Sequence, residues 1–533
     1  MFAQLRGWIS SLFTPSQPAL DGMRLGPDDN VDNPLMLQFF TWDTLHPTLS
    51  WWGHLENEIP SLAIMGFTQL WLPPPNKGEN KVREVIIFVE FSTPVKKGRG
   101  YDAYDLWDLG TVETRWGGRE AYLRACHAAR SHGVDVLVDA VLNHKLGADA
   151  CERFPAIPVN PQNRLEDAGP ERIISVTNDV GVDRFRLQRQ RWEGLQRLEM
   201  EAGALQWHVS IGITRRGQVV STGSPALAIR AGQSMYVHTE LGNYDYLLGV
   251  DIDHRHPQVQ KDMLDWGVWI LQTTGASGFR LDAIKHMDYR FILKFLKHTR
   301  NNLQRSNIFA VSEFWSGDLK SIIPYIKICR GATSFFDVPL HMNFHEASKQ
   351  GSKYDLRRIL DNTIVKAFPR DAVTFVDNHD TVKGQSLESW VSTDFKLQAY
   401  AIILLRRAGH PCVFYGDLYA NEECGDARIE KLLPALIEAR KRFAYGRCDD
   451  YLLEQSCIGF VRAGDSKHAG CAVVLSNREP GPSHSLRMSV GSENANTTYR
   501  PLMHESDATV SVDSEGWGSF SCPANGVQIW VRE

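Results

Sequence analysis

The stretch GFRLDAIKH, residues 278–286, begins as a short apolar segment and ends in a cluster of charged and polar groups. Burying an unpaired charge is costly, so Arg280 and Asp282 in such a segment require a reason. Seven other apolar runs have a similar form, and most of them also end in polar or charged residues. In chain order the eight runs are 35–40 (LMLQFF), 67–73 (FTQLWLP), 135–144 (DVLVDAVLNH), 278–286, 309–315 (FAVSEFW), 333–340 (TSFFDVPL), 372–380 (AVTFVDNHD) and 411–417 (PCVFYGD). Continuous apolar runs of this length are typical of strands that are buried on both faces.

Stretches with a helical period lie between many of these runs. We expect amphipathic helices at 119–131, 258–273, 288–303 and 395–407. Eight strand–helix units predict an α/β fold, the (β/α)8 or TIM barrel. In that fold the chemistry takes place at the carboxyl ends of the strands, which is where the polar groups of the runs fall.

Two parts of the chain do not fit a plain barrel. Roughly 130 residues separate the third run from the fourth, far more than one helix needs, which predicts an inserted subdomain between strand 3 and helix 3. After about residue 445 short strand patterns alternate with turns, which predicts a C-terminal antiparallel β-sandwich. The predicted domains are a catalytic barrel at 30–144 and 251–440, an inserted domain at 145–250 and the sandwich at 445–533.

The composition is that of a soluble globular protein, with 43% apolar and 23% charged residues. A formal charge of −5 argues against a nucleic-acid or anionic-membrane partner, because these need concentrated basic surface. No apolar run is long enough to span a membrane, and the segment MFAQLRGWISSLF is too short and interrupted for a signal-peptide core. Nine scattered cysteines without a CxxC motif indicate reduced, buried thiols. We expect a cytoplasmic monomer.

Three carboxylates follow predicted strands at the same face of the barrel: Asp282, Glu313 and Asp380. A single Asp after a strand more often caps a helix or forms an ion pair, but three together favour acetal cleavage. That reaction needs one carboxylate to attack or stabilise the cation-like carbon and another to protonate the leaving oxygen. Arg280 lies on the same side of its strand as Asp282, and a nearby guanidinium keeps a carboxylate ionised.

Four clusters carry a family resemblance: DAVLNH (139–144), GFRLDAIKH, SEFW (312–315) and FVDNHD (375–380). In this order they resemble the motifs of α-amylases of glycoside hydrolase family 13. The stretches similar to the liquefying bacterial type and its intracellular fungal relatives are LQFF (37–40), GYDAYDLWDLG (100–110), GNYDYL (242–247), FDVPLHMNF (336–344), FVDNHDT (375–381) and SEGWGSF (514–520). The resemblance covers most of the chain, and its motifs together are highly specific. It implies retaining endo-hydrolysis of α-1,4-glucosidic bonds in starch, glycogen or malto-oligosaccharides.

The resemblance also implies a role for each matching residue. Asp282 matches the nucleophile, and Glu313 matches the general acid/base, whose pKa must be raised for it to carry a proton near neutral pH. Asp380 matches the third carboxylate, which holds sugar hydroxyls, and Arg280 orients Asp282. The implied substrate contacts are Tyr101, His144 and His379 around subsite −1, and Lys285, His286 and Trp315 on the leaving-group side.

A calcium ion is implied as well, bound by oxygen ligands as a hard cation requires. The positions that match its ligands are the side chains of Asn143, Asp245 and Asp251 and the backbone carbonyl of His286. Because Asn143 and His286 adjoin predicted site residues, the ion would brace the inserted domain against the active site. The resemblance implies no organic cofactor.

Three segments depart from the family pattern. Residues 82–96 are an unusually apolar addition, DLG at 108–110 runs directly into TVETRWG where relatives have a longer loop, and the pattern of the inserted domain vanishes over about 175–235. Plausible codons for three stretches of this last segment, read one base later, yield family-like motifs. We therefore hypothesise that about 175–235 is translated out of frame and that 82–96 is a retained intron. Ser234 also replaces an Asp of the family's additional metal site, which predicts weaker metal binding and a poorly packed inserted domain.

Other functions stay open from sequence. One is a different family-13 specificity, such as an exo-acting glucosidase or a transglycosylase, which the product pattern from a blocked malto-oligosaccharide would distinguish. Another is an impaired glycan-binding pseudoenzyme that results from the aberrant inserted domain. Its hallmark would be a missing catalytic carboxylate, and none is missing. A TIM-barrel enzyme of unrelated chemistry does not account for the combined motifs.

Overall fold

The computed structural model describes residues 33–533, apart from 79–98, 111–113, 146–149, 157, 161, 171, 179–227, 230–235, 249, 256 and 504–507. The hypothesis on 82–96, the prediction for Ser234 and most of the 175–235 segment therefore lie outside the described residues. The boundaries predicted for the three domains stay predictions.

Eight parallel strands form a closed barrel, and each lies within one of the eight apolar runs or extends one residue beyond it. The strands are β1 (Met36–Gln38), β2 (Gln69–Trp71), β3 (Asp135–Ala140), β4 (Gly278–Leu281), β5 (Phe309–Ser312), β6 (Ser334–Phe336), β7 (Ala372–Phe375) and β8 (His410–Phe414). Strands that are consecutive in this numbering are neighbours, and β8 closes the ring on β1, where Cys412 lies beside Met36. The strands are buried along their whole length, as their apolar composition predicts. The TIM-barrel prediction is confirmed.

The close approach of β4 to β5 requires a glycine at the first position of the stretch GFRLDAIKH. A Cβ atom added to Gly278 would lie 2.0 Å from the carbonyl oxygen of Phe309. No real side chain tolerates that distance, so the absence of a side chain at Gly278 lets the two strands pair in register.

Helices surround the barrel. They are α1 (Trp51–Met65), α2 (Arg119–Ser131), α3 (Pro257–Thr274), α4 (Tyr289–Leu303), α5 (Leu319–Cys329), α6 (Val338–Gln350), α7 (Ile364–Ala367), α8 (Thr393–Leu405), α9 (Tyr415–Leu418) and α10 (Ala427–Phe443). Short 3-10 turns lie at Ile284–His286, Gly351–Lys353, Leu356–Arg358 and Ser492–Asn494. All four helices expected from the sequence are present. None of the helices among the described residues has both the length and the apolar character needed to cross a membrane.

The expectation that the helix at 395–407 is amphipathic is wrong. Every residue from Phe395 to Leu405 in α8 is buried, including the polar Lys396 and Gln398. The reason is that α8 has protein on both sides, with the barrel on one and the C-terminal sheet on the other. Gln398 shows the second contact directly, since its amide donates to the carbonyl of Ser476 and to Asn525 Oδ1, at 3.1 and 3.0 Å.

The C-terminal region consists of two antiparallel sheets. The six-stranded sheet has the spatial order Cys448–Glu454, Cys457–Gly464, Ala469–Asn477, Asn525–Arg532, Thr498–Pro501 and Val510–Ser511, and the second sheet pairs His484–Ser489 with Trp517–Cys522. Alternate residues of a strand point to opposite faces. Val473 and Leu475 accordingly join the barrel core, whereas Ala472 and Val474 pack toward the second sheet. The central strand Ala469–Asn477 is therefore buried on both faces over most of its length.

Several short strands lie outside the barrel, mostly between β3 and α3. They are Lys77–Gly78, Ala103–Asp105, His144–Lys145, Ala150–Ala156, Pro158–Asn160, Asn163–Asp167, Arg172–Asn178, Ala228–Ile229 and Val250–Asp251. The antiparallel pair of His144–Lys145 with Val250–Asp251 fastens the start of this long connection to its end. The predicted insertion between strand 3 and helix 3 thus leaves and re-enters the barrel at one place.

Candidate active site

The predicted catalytic carboxylates lie where neighbouring strands end. Asp282 follows β4 and Glu313 follows β5, and the two strand ends are joined by a hydrogen bond from the Glu313 amide to the carbonyl of Leu281 at 2.9 Å. The backbone turns sharply after Asp282, where Ala283 has a φ of 50°. This turn directs the Ala283 amide to Glu313 Oε2, at 3.0 Å. The hydrogen bond holds one oxygen of Glu313 beside Asp282.

One guanidinium connects these carboxylates. Arg280 is completely buried, and its Nη1 donates to Asp282 Oδ1 at 2.5 Å and to Asp139 Oδ1 at 2.9 Å. Its Nη2 forms an ion pair with Glu313 Oε1 at 3.0 Å. The structure places Arg280 beside Asp282, as the strand alternation predicts. Two carboxylates that share one guanidinium cannot lie far apart.

Asp139 is a site residue that was not predicted from the sequence. Its carboxylate accepts hydrogen bonds from the Trp71 indole at 2.8 Å and the Tyr101 hydroxyl at 2.5 Å, in addition to Arg280. The Trp71 ring in turn lies 4.8 Å from the Arg280 guanidinium carbon. Asp139 stands in the DAVLNH cluster at a strand end, which is the signal that marks it. Trp71 carries no such signal, because apolar aromatic residues are common in any barrel strand.

Burial and mutual repulsion raise the pKa values of the acidic groups. Burial raises the pKa of Asp282 to about 6, although Arg280 opposes the shift. Burial also raises the pKa of Glu313, with the charge of Asp282 adding to the effect and Arg280 opposing it. For Asp380, burial and then the charge of Glu313 raise the pKa to about 8. At neutral pH Asp282 is therefore mostly ionised, whereas Asp380 holds a proton in the free cleft.

Two predicted histidines are held as neutral hydrogen-bonding groups. The Nδ1 atom of His379 is 3.1 Å from the Gln38 amide, and its Nε2 is 3.5 Å from Asp380 Oδ2. Burial and the positive charge of Arg280 keep the pKa of His379 well below its usual value. His144 Nε2 lies 3.0 Å from the carbonyl of Tyr101, and burial lowers the pKa of His144 to about 4.

The residues predicted for the leaving-group side lie together as well. Lys285 Nζ pairs with Glu240 Oε2 at 2.5 Å and lies 3.3 Å from the carbonyl of Trp315. His286 Nδ1 lies 2.7 Å from the carbonyl of Tyr244, and burial lowers the pKa of His286 to about 3. Glu240 and Tyr244 thus connect the end of the inserted segment to this side of the site.

The turn that carries His379 and Asp380 rests on a second buried ion cluster. Lys396 of α8 places its Nζ 2.9 Å from Asp377 Oδ2 and 2.7 Å from Asp417 Oδ1. Asp377 also accepts a hydrogen bond from the Thr381 hydroxyl at 2.9 Å, which closes the turn around Asp380. These residues were not predicted from the sequence, because Lys396 lies in a helix whose residue pattern looks amphipathic.

A single cleft of about 610 Å³ collects the predicted residues. Nine of the ten predicted catalytic and substrate-binding residues line it: Tyr101, His144, Asp282, Lys285, His286, Glu313, Trp315, His379 and Asp380. The tenth, Arg280, lies beneath the cleft floor. Trp42 also lines the cleft and packs against the rings of Tyr101 and His379, with centroid distances of 5.2 and 4.9 Å.

The residues predicted to bind calcium would offer oxygen atoms, which are the ligands that a hard cation requires. Asn143 is completely buried, and its Oδ1 atom has no hydrogen-bond partner. The backbone places Asp251 opposite His144, next to Asn143, while His286 contacts the residue before Asp245. Among the described residues no group of three or more His, Cys, Asp and Glu side chains is placed to hold a metal. The predicted calcium ligands would not form such a group, because only two of them are carboxylates and the others are an amide and a backbone carbonyl. The side chain of Asp251 also lies outside the described residues. An orphaned buried amide oxygen fits a site of this kind.

Comparisons with known proteins give the family of the chain. The family model described as "Alpha amylase, catalytic domain" matches residues 232–428, and that for "Alpha-amylase C-terminal" matches residues 483–531. A glucan 1,4-alpha-maltohexaosidase of Bacillus sp. (strain 707) is 36% identical over 519 residues, which cover 95% of this chain and 93% of that protein. The chain belongs to the α-amylase family of glycoside hydrolases.

Other α-amylases align over nearly the same length. An alpha-amylase of Geobacillus stearothermophilus is 36% identical over 94% of this chain and 87% of its own. A cytoplasmic alpha-amylase of Escherichia coli is 34% identical over 94% of this chain and 99% of its own. The crystal structure of an α-amylase from Geobacillus thermoleovorans with acarbose has a TM-score of 0.59 at 15% identity, covering 94% of this chain and 98% of that one. This last likeness confirms the fold.

Proposed function

We propose that this chain is a retaining α-amylase that hydrolyses internal α-1,4-glucosidic bonds of starch- or glycogen-type glucans. The observation that carries the proposal is the Arg280 guanidinium shared by Asp282 and Glu313 at the floor of one cleft. Retaining glycosidases place their two carboxyl groups about 5–5.5 Å apart, whereas inverting enzymes need about 6.5–9.5 Å to admit a water. Contact with the two ends of one guanidinium favours the closer arrangement.

Asp282 acts as the nucleophile. With a pKa of about 6 it is mostly ionised at neutral pH, and Arg280 fixes one of its oxygens. The other oxygen attacks the anomeric carbon, and the bond to the leaving glucan breaks as the covalent glycosyl-enzyme forms. The family resemblance supports this assignment of the attacking group, and the ionised state inferred for Asp282 is the state that attack requires.

Glu313 acts as the acid and then as the base. Its raised pKa keeps the proton that it donates to the leaving oxygen, and the Ala283 amide fixes the orientation of its carboxyl group. Formation of the ester removes the charge of Asp282, so Glu313 then accepts a proton from the water that cleaves the ester.

Asp380 and the two histidines position the sugar at the bond that breaks. A protonated Asp380 can donate to one sugar hydroxyl and accept from another, which an ionised carboxylate cannot do. His144 and His379 are neutral, so each offers a directed hydrogen bond without adding a charge to the cleft. Tyr101 stacks on His379 and completes this side of the site.

We further propose that Asn143, Asp245, Asp251 and the His286 carbonyl hold a calcium ion. The unpartnered amide oxygen of Asn143 supports this assignment. A bound Ca²⁺ supplies a rigid, charged crosslink between the inserted segment and the barrel. Calcium-depleted protein is then expected to unfold at a lower temperature than protein with excess Ca²⁺, as measured by calorimetry. Equal melting temperatures would remove the proposal.

The deciding experiment compares starch hydrolysis by the chain and by Glu313→Gln. Loss of the general acid/base is expected to lower kcat by about 10²–10⁴-fold, measured as release of reducing sugar. The α-anomer should be the first product seen by NMR if configuration is retained. Equal activity of the two proteins would remove the assignment of Glu313, and a β-anomer would remove the retaining mechanism. The likeness to a cytoplasmic α-amylase supports a cytoplasmic location.

A further inference from the structure

One end of the cleft carries a charged cluster that the proposed chemistry does not use. Arg99 Nη2 pairs with the carboxylate of Asp43, and Arg115 Nη2 donates to the backbone carbonyl of Asp43 at 2.9 Å. The Asp43 amide donates to Glu423 Oε2, also at 2.9 Å. These contacts tie together loops that follow β1, β2 and β8. We call Asp43, Arg99 and Arg115 the arginine wall.

The ring order of the barrel places this wall across the cleft from the leaving-group side. Asp43 follows β1 and Arg99 follows β2, whereas Lys285 and Trp315 follow β4 and β5. In a closed ring of eight strands, β1 lies opposite β5. All three wall residues line the same cleft as the catalytic carboxylates. The wall therefore stands at the end where the retained part of a glucan, the glycon, must lie.

The wall also covers an aromatic surface. The guanidinium carbon of Arg99 lies 5.0 Å from the centre of the Trp42 ring, within the range of a cation–π contact. Trp42 packs against Tyr101 and His379 of the predicted subsite −1 and lines the cleft, so the next glucose units of a glucan would pass along it. The Trp116 indole donates to the Arg99 carbonyl at 3.0 Å, which holds the arginine backbone in place.

We infer that the arginine wall closes the glycon end of the cleft and thereby sets the length of the released oligosaccharide. A glucan can extend past Trp42 only as far as Arg99 and Asp43 allow. The inference rests on the proposed α-glucan hydrolysis and specifies the product size of the same site. It assigns to these three residues a control of specificity, with no part in bond cleavage.

The test uses 4-nitrophenyl α-maltoheptaoside, whose chromophore marks the reducing end. Arg99→Ala and Asp43→Ala should each move the main cleavage point by one glucose unit. The unlabelled product becomes one unit longer and the nitrophenyl product one unit shorter. Both side chains are partly exposed, at 38% and 56%, so the variants should fold with melting temperatures close to that of the unsubstituted chain. The double variant should show the same shift, because either substitution opens the same wall.

Arg124→Ala is the matched control. Arg124 also pairs with a carboxylate, Glu56, but it lies on the outer helix α2 and should leave the products unchanged. Unchanged products for Arg99→Ala and Asp43→Ala, with normal starch hydrolysis, would overturn the wall and leave the proposed function intact. Shorter unlabelled products with a raised KM would also overturn it, since Arg99 would then be a sugar ligand. Absence of hydrolysis by the unsubstituted chain would instead overturn the proposed function, and the wall with it.

Discussion

Two buried ion clusters lie at the same face of the barrel, and they differ in what surrounds them. The first, at the ends of β3, β4 and β5, has Arg280 with three carboxylates and opens into the cleft. The second, at the ends of β7 and β8, has Lys396 with two carboxylates and is closed by protein. The side chains of Asp282 and Glu313 are each 10% exposed, whereas those of Asp377 and Asp417 are 0% exposed.

This difference in exposure separates a cluster that is suited to take part in a reaction from one that stabilises the fold. In the cleft cluster, one cation cannot neutralise Asp139, Asp282 and Glu313, so burial and repulsion leave some of the acids protonated. In the proposed mechanism, the proton on Glu313 is the one that is donated to the leaving oxygen. In the closed cluster, two carboxylates raise the pKa of Lys396 despite its burial, so the lysine stays charged. Tyr400 adds a hydrogen bond to Asp417 at 2.6 Å. The same pairing of cation and carboxylate thus serves chemistry at one site and architecture at the other.

The largest expected effect comes from Arg280→Met. Removal of the guanidinium releases Asp282 and leaves it prone to protonation, so kcat/KM on starch should fall by at least about 10³-fold. The loss of stability should be smaller than for Lys396→Met at pH 7, because carboxylates that reach cleft water can take up protons. Parallel activity and thermal-unfolding measurements check both parts. A variant with near-normal kcat/KM would contradict the role of Arg280.

Lys396→Met should act in the opposite way, mainly on stability. Removing one partner of a buried ion pair leaves an uncompensated charge, which costs about 3–5 kcal/mol of unfolding free energy. Urea unfolding measures the cost, and adding Asp417→Asn should restore part of it. Since Asp377 holds the turn around Asp380, the Lys396→Met protein that remains folded should show a reduced kcat on starch. Stability equal to that of the unsubstituted chain would remove the distinction between the two clusters.

A smaller effect is expected from Tyr400→Phe, which removes one hydrogen bond to a buried carboxylate. Such bonds contribute about 1.5–3 kcal/mol. The urea midpoint should fall accordingly while kcat on starch stays the same, because Tyr400 does not line the cleft. A large change in kcat with unchanged stability would show that the closed cluster takes part in catalysis.

A further effect concerns the pH dependence of stability. Asp380 has a pKa of about 8 in the folded chain against an ordinary value of 3.8, so the folded state holds a proton that the unfolded state releases. This contribution is fully present below about pH 4 and is lost as the pH rises through about 8. Asp380→Asn lacks it, so the variant should gain stability relative to the unsubstituted chain between pH 5 and pH 8. Melting curves that run parallel across this range would contradict the raised pKa.

The features that could be predicted from the sequence are those that repeat along the chain and those that depend on the residue order within a single strand. The eight apolar runs located all eight strands, and the alternation of side chains placed Arg280 beside Asp282. Asp139, Gln38 and Trp71 were missed because their contacts depend on how neighbouring strands meet when the ring closes. The residue spacing within β2 does not indicate that the Trp71 ring will lie against the Arg280 guanidinium of β4.

The error at α8 has the same origin. A helix with Lys396 and Gln398 among apolar residues looks exposed on its polar side, because polar residues are mostly found at the surface. Here Lys396 meets Asp377 and Asp417, and Gln398 meets two residues of the C-terminal sheet. Partners that are distant in sequence let a polar residue be buried, and the sequence of the helix alone does not reveal them.

The six-stranded sheet has a consequence for synthesis of the protein. Its strand Asn525–Arg532 lies in the interior of the sheet, between Ala469–Asn477 and Thr498–Pro501, and packs against α8. A ribosome releases that strand last among the strands described here, long after all eight barrel strands have emerged. Until then α8 has an uncovered apolar surface, and the barrel cannot complete its core. Completion of the barrel core is thereby coupled to synthesis of the C-terminal sheet, which follows the eight barrel strands in the chain.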